Sequence, residues 1–228
     1  MSNYVIDQPA RVSLPVRGSD ARFPVRRIYC IGRNYADHAI EMGHDPNKEA
    51  PFFFQKNAEN VDTSGSFPYP PQTNDVHHEM EMVVALKSGG ANISEADALQ
   101  HVYGYGLGLD MTRRDLQGEA KKTGRPWEIG KAFERSAPMS ELVPVSQCGH
   151  LDKGRIALKI NGKERQVGDL NQMIWKVPEM IAYLSEYFEL QAGDVIMSGT
   201  PSGVGAVQRG DVMEASIEGL GSLSVKVV

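Results

Sequence analysis

Two carboxylates spaced two residues apart stand in the run His77-His78-Glu79-Met80-Glu81. On a strand, side chains two apart share a face. Glu79 and Glu81 would then stand together, with Met80 and Met82 on the opposite face. Like charges on the buried side of a strand repel, and one must hold a proton unless a cation joins them. A third acid, Asp110, ends a glycine-rich apolar run. If that run is a strand lying beside the first, three carboxylates converge. Hard oxygen ligands with room for water suit Mg2+, with Mn2+ next. Glu-x-Glu alone is a weak signal, because an exposed edge face carries the same pattern.

Other groups could do chemistry beside such a cluster. His38 and Glu41 are three apart on an expected helix, so their side chains can meet. By spacing alone this is an ordinary surface pair, yet a Glu-oriented His is also a competent general base. Lys131 sits between Gly130 and Ala132, near Trp127 and Phe133. A lysine among apolar groups is aimed at an anion more often than a surface lysine is. Arg114 and Gln117, three apart after Asp110, share a helix face toward the acids. Arg113 points elsewhere and reads as solvated, and His77 reads as structural. Residues 199–205 form a glycine-rich loop that turns backbone N–H groups and the Thr200 hydroxyl toward a common point. The loop lacks the Lys-Ser/Thr of a phosphate-binding loop. No Pro-Cys-x-x-Cys follows the histidines, and there is no His-Glu-x-x-His helix, so a zinc deaminase and that metalloprotease class are excluded on ligands.

Strands must position these groups. Residues 25–32 read as a strand ended by glycine, 33–42 as a short helix and 51–54 as a brief apolar strand. Residues 79–87 and 102–110 read as strands, and Gly104, Gly106 and Gly108 leave one face of the latter smooth enough for close backbone packing. Ser94 caps a short helix, and 112–122 is a helix candidate. Asn161-Gly162 is a turn dipeptide between two strands. Residues 177–187 form an amphipathic helix with Pro178 in its first turn. Phe52–Phe54 and Trp175 read as core or interface. Many short strands and few helices predict a β-rich α+β domain, not a doubly wound sheet. Residues 1–24 read as an N-terminal arm before a domain over 25–228.

The 228 residues are 41 % hydrophobic and 23 % charged, enough for one sizeable packed domain. A net charge of -5 gives no electrostatic reason to bind nucleic acid or an anionic membrane. A small anionic substrate would need a metal or a few aimed Lys and Arg. Cys30 and Cys148 are far apart and read as small buried hydrophobes, which favours a reducing cytoplasm over a disulfide framework. The N-terminus shows no charged and apolar leader pattern. The longest uncharged run, 195–208, is too short and too broken by Gly and Pro to span a bilayer.

Five motifs occur in order: Gly32-Arg33-Asn34-Tyr35-Ala36-Asp37-His38; His78-Glu79-Met80-Glu81; Leu109-Asp110-Met111-Thr112-Arg113-Arg114-Asp115-Leu116-Gln117; Gly130-Lys131-Ala132-Phe133; and Ser198-Gly199-Thr200-Pro201-Ser202-Gly203-Val204-Gly205. Together they resemble the fumarylacetoacetate hydrolase family, in its small single-domain branch of acylpyruvate and fumarylpyruvate hydrolases. The resemblance covers roughly 25–228. It implies a mixed β-sandwich roll and a homodimer. It implies Mg2+ or Mn2+ on Glu79, Glu81 and Asp110, and a mobile lid carrying His38 and Glu41. It also implies that Arg114, Gln117, Lys131 and Thr200 line a small anionic 2-oxo acid.

The implied substrate is R–CO–CH2–CO–COO−. His38, oriented by Glu41, would deprotonate water, and hydroxide would attack the distal C4 carbonyl. Lys131, with Gln117, would steady the oxyanion. The C3–C4 bond would break because a divalent cation stabilises the departing pyruvate enolate. Closure of residues 33–48 would exclude water. Oxaloacetate decarboxylation uses the same enolate and is the alternative within the family. A non-catalytic metal- or ligand-binding module is the other alternative, though it has no use for a paired base. Residues 21–27 also resemble the fumarylpyruvate branch. That substrate carries a second carboxylate, and Arg113, Lys121, Lys122 and Arg125 are the nearby cations that could meet it.

Overall fold

The computed structural model describes residues 4–41 and 51–228. The first three residues of the expected arm, and positions 42–48 of the expected lid, lie outside the described residues.

Two mixed sheets carry the fold. The first has six strands, in the order Val143–Pro144, Val102–Leu109, Met80–Leu86, Val195–Met197, Ile28–Gly32 and Phe52–Lys56. Only the pairing of Val195–Met197 with Ile28–Gly32 is parallel. The second has five strands: Lys163–Asp169, Arg155–Ile160, Val212–Ile217, Gly221–Val227 and Ser66–Phe67. The β-rich α+β architecture expected from the chain is the one observed.

Alternation along Met80–Leu86 explains why both faces of the first sheet are covered. Met80, Met82, Val84 and Leu86 enter the main core with Leu158 and Met213 of the second sheet and with Met180, Ile181 and Leu184 of the helix Val177–Tyr187. Val83 and Ala85 face a second cluster with Leu14, Phe23, Met139 and Met197. The cover on that side begins with a hairpin, Ser13–Val16 and Ser19–Pro24, which buries Leu14, Val16 and Phe23. Residues 13–24 are therefore packed against the sheet. Glu81 shares the parity of Val83 and Ala85 and is buried with them.

The glycine stripe lets another segment lie flat on Val102–Leu109. A Cβ on Gly104 would fall 2.4 Å from Val143 O, and one on Gly108 would fall 2.8 Å from Val83 Cγ2. Both distances are too short for any larger residue. The helix expected from 112 starts later, at Arg114–Thr123, because Thr112–Arg113 first pairs with Val76–His78. A short helix at Glu128–Lys131 has no signal in the sequence pattern. No helix among the described residues is long and apolar enough to cross a membrane. Both cysteines are free.

Candidate active site

Met80 pairs with Leu109, and the Asp110 N–H donates to Glu79 O at 2.8 Å. This register brings the ends of the two strands together. One carboxylate oxygen each from Glu79, Glu81 and Asp110 lies within 4.8 Å of the others, and all three residues are buried. The expected convergence therefore occurs.

Buried anions require partners. Lys131 Nζ lies 2.7 Å from Glu79 Oε2 and 2.7 Å from Asp110 Oδ2. Arg114 Nη2 donates to Glu79 Oε1. Lys56 Nζ lies 2.9 Å from Asp110 Oδ1, an ion pair whose alignment leaves that oxygen without a hydrogen bond. Burial alone would raise the Glu79 carboxyl, but Lys131 and Arg114 outweigh it and hold the group well below the carboxylate range. Glu81 differs. Its Oε2 accepts from Gly199 N at 2.9 Å, yet burial, then Asp110 and Glu79 beside it, push its carboxyl well above the usual value. A compact set of hard oxygens, one acid strained by its neighbours and one carboxylate oxygen lacking a hydrogen bond fit a divalent cation.

The glycine-rich loop closes over Glu81. Gly199 holds φ +91°, and a Cβ there would meet Asn34 Cβ at 2.7 Å, so only glycine brings its N–H to the acid. Asn34 in turn clamps the loop, donating to Trp175 O at 2.9 Å and to Ser198 O at 2.8 Å. Next along, Thr200 Oγ1 accepts from Gln166 Nε2 at 2.8 Å. Gln166 also donates to Pro201 O at 2.7 Å, accepts from Met80 N at 3.0 Å and lies 3.0 Å from His78 Nδ1.

His38 Nδ1 lies 3.1 Å from Glu41 Oε2, and Gly203 N donates to both Glu41 oxygens at 3.1 and 3.2 Å. The helix Ala36–Glu41 is thereby tied to the same loop. His38, Glu79, Arg114, Gln117 and Lys131 all line one small cavity. Gln117 Oε1 accepts from Arg114 Nη1 at 2.7 Å. Thr200 joins the centre through its neighbour Gly199.

Several readings need correction or addition. Arg113 is only partly solvated: its guanidinium lies 4.4 Å over the Phe133 ring, and Nη1 donates to Ile129 O at 3.1 Å. Phe52 and Phe54 are not core packing alone, since with Trp127 they wall the cavity. His77 pairs with Asp75 at 2.9 Å, a structural contact. Lys56 and Gln166 were not singled out. Lys56 ends an aromatic run and Gln166 sits in a polar hairpin strand, so each resembled a surface residue. The one available signal was the position of Lys56 after three phenylalanines.

The family model described as fumarylacetoacetate (FAA) hydrolase C-terminal matches residues 27–228. This chain belongs to the fumarylacetoacetate hydrolase family. Among solved members of that family, the fumarylpyruvate hydrolase of Pseudomonas aeruginosa, in complex with Mn2+ and pyruvate, is 52 % identical. It covers 99 % of both chains with a TM-score of 0.97. The fumarylpyruvate hydrolase of a Ralstonia species is 45 % identical over 184 residues, 80 % of this chain and 95 % of that one. The human mitochondrial oxaloacetate tautomerase FAHD1 is 40 % identical over 202 residues, 89 % of this chain and 91 % of its own. The fumarylacetoacetate hydrolase family thus supplies relatives with two different named activities.

Proposed function

We propose that this chain is a divalent-metal-dependent hydrolase that cleaves the C3–C4 bond of a 2,4-dioxo acid, foremost fumarylpyruvate, into pyruvate and fumarate. The observation that carries the reading is a single cavity lined both by His38, held by Glu41, and by the cation-paired Glu79. The pyruvate and Mn2+ in the similar P. aeruginosa enzyme support the head-group end of the assignment.

Glu79, Glu81 and Asp110 would hold Mg2+ or Mn2+, which supplies Lewis-acid polarisation of the oxo-acid head. Three carboxylates face three cations, Lys56, Lys131 and Arg114. A dication therefore leaves a net positive site that an anionic substrate offsets. Arg114 and Gln117, with Thr200, fix the carboxylate end. With Glu41 accepting from Nδ1–H, His38 keeps Nε2 free to remove a proton from water. The hydroxide oxygen bonds to C4, and Lys131 and Gln117 meet the oxyanion that forms there. The oxyanion then collapses to a carboxyl group. The C3–C4 electron pair leaves on C3, and the proton that His38 took from water is returned to C3 to complete pyruvate.

The test is a substrate panel with Mg2+ or Mn2+: fumarylpyruvate, acetylpyruvate, fumarylacetoacetate and oxaloacetate. Stoichiometric pyruvate from fumarylpyruvate is expected. Much faster turnover of oxaloacetate would remove the hydrolase label. A second reading, oxaloacetate tautomerase, is supported by the human relative. It needs a proton moved at C3 and no water attack, and it appears as enol absorbance change without pyruvate. Oxaloacetate decarboxylation would instead release pyruvate from oxaloacetate. Metal binding with no turnover on any member of the panel would indicate a binding module.

The same reading includes a homodimer in the cytoplasm, supported by the family resemblance and by the free cysteines. Light scattering of the purified protein checks the dimer. The family match begins at residue 27, which supports a catalytic domain over 25–228, and of the expected arm, 1–24, the hairpin Ser13–Pro24 packs onto that domain.

A further inference from the structure

The cavity beside the carboxylates holds two cations that the mechanism does not use, Arg33 and Lys121. Lys121 Nζ lies 5.1 Å over the Trp127 ring, and Arg33 Cζ lies 5.3 Å over the Phe52 ring. The two rings touch edge to face, with centroids 5.3 Å apart. An aromatic pair thus holds both charges beside the cavity. Among the described residues, neither cation pairs with an acid. Arg33 also keeps φ +57° without being glycine, a strained conformation that side chains adopt where the surroundings demand it.

The backbone spacing along the helix is compatible with a ligand of fumarylpyruvate's length. Arg114, Gln117 and Lys121 lie three and four residues apart on the helix Arg114–Thr123, on one face. Seven residues at about 1.5 Å each set Lys121 roughly 10 Å along the axis from Arg114. A seven-carbon chain has six bonds of about 1.5 Å, and with a hydrogen bond at its end it spans a comparable length.

We propose that Arg33 and Lys121 form a distal carboxylate subsite that selects a dioxo dicarboxylate over an acylpyruvate with an uncharged tail. This rests on the hydrolase reading above. Of the four cations that the chain offered near this helix, the structure favours Lys121 and adds Arg33 from the opposite motif. Arg113 is committed to Phe133, and neither Lys122 nor Arg125 lines this cavity. Burial and the charges of Arg114 and Arg33 lower the Lys121 pKa, as expected of crowded cations that lack an anion.

The test compares fumarylpyruvate with crotonylpyruvate, in which a methyl group replaces the distal carboxylate. Lys121→Ala and Arg33→Lys should each lower kcat/KM on fumarylpyruvate by about tenfold, chiefly through KM, and lower it far less on the methyl analogue. Lys121→Arg should restore most of the preference. Lys122→Ala, next in sequence but outside the cavity lining, serves as the control. Calorimetry with fumarate on the Mn2+-loaded protein adds a readout that needs no turnover, and Lys121→Ala should weaken it. Equal losses on both substrates, or fumarate binding indifferent to Lys121, would overturn the subsite. A wild-type protein that binds fumarate through Lys121 yet cleaves neither substrate would overturn the hydrolase reading and leave the subsite standing.

Discussion

Gln166 Nε2, on the strand Lys163–Asp169, donates to Thr200 Oγ1 of the glycine-rich loop at 2.8 Å, so the Thr200 hydroxyl must spend its own proton elsewhere. A hydroxyl that accepts from a locked amide is pre-aimed as a donor. Gln166 is itself fixed by Met80 N and Pro201 O, which makes the aim rigid.

Thr200→Val should therefore raise KM for the dioxo acid by about tenfold, the worth of one hydrogen bond to a charged group. Gln166→Glu, whose carboxylate cannot donate, should reproduce that rise, with circular dichroism checking the fold against the cost of a buried charge. Steady-state kinetics of both variants decide the matter, and an unchanged KM in Thr200→Val removes the residue from the substrate site.

Metal should stabilise as well as activate. A cation that binds only the folded chain adds about 2.7 kcal/mol at a hundredfold excess over Kd. Adding Mn2+ should raise the melting temperature, and chelator should abolish turnover. Glu81→Gln should weaken Mn2+ binding by calorimetry. In chelator the same variant should melt higher than wild type, because it removes a buried carboxylate crowded by Asp110 and Glu79. A lower melting point in chelator would contradict the crowding.

His38→Ala should cost hydrolysis about a hundredfold or more, while any enolisation of oxaloacetate loses much less. Glu41→Gln should show a milder form of the same split, since it still accepts from His38. Equal loss on both reactions in His38→Ala would count against water activation.

The distal preference should fade in alkali. The Lys121 ammonium loses its proton below the ordinary lysine value. Burial, then Arg114 on its own helix and Arg33 across the cavity, disfavour the charge, while Glu79 opposes them and Lys131 adds to them. Only the protonated form attracts a carboxylate. The ratio of kcat/KM on fumarylpyruvate to that on the methyl analogue should therefore fall as pH rises through that lowered value. Lys121→Arg should flatten the decline, because a guanidinium stays charged. A pH-independent ratio in the wild type would exclude Lys121 as the responsible cation.

Lys56→Met should destabilise the fold by about 3 kcal/mol, the scale for removing one partner of a buried ion pair. The Lys56 ammonium also donates to Met111 O at 3.2 Å and to Ser136 Oγ at 3.0 Å, and it holds the Lys131 carbonyl. Chemical denaturation with and without Mn2+ measures the loss.

The residue order determined whatever follows from local geometry. The Glu-x-Glu spacing brought both carboxylates to one centre, Glu81 from the strand Met80–Leu86 and Glu79 from the residue just before it. Asn161-Gly162 turned the hairpin because both residues accept positive φ, here 51° and 75°. A three-residue helical spacing brought His38 to Glu41 and Arg114 to Gln117. Motif order carried the family. Tertiary structure alone decided which polar side chains are inside. Lys56 reaches Met111 across 55 positions, and Gln166 reaches Met80 across 86. Whether a lysine after three phenylalanines meets water or Asp110 depends on which strands arrive beside it. Local propensity is silent there, because burial belongs to the neighbours that long-range pairing brings.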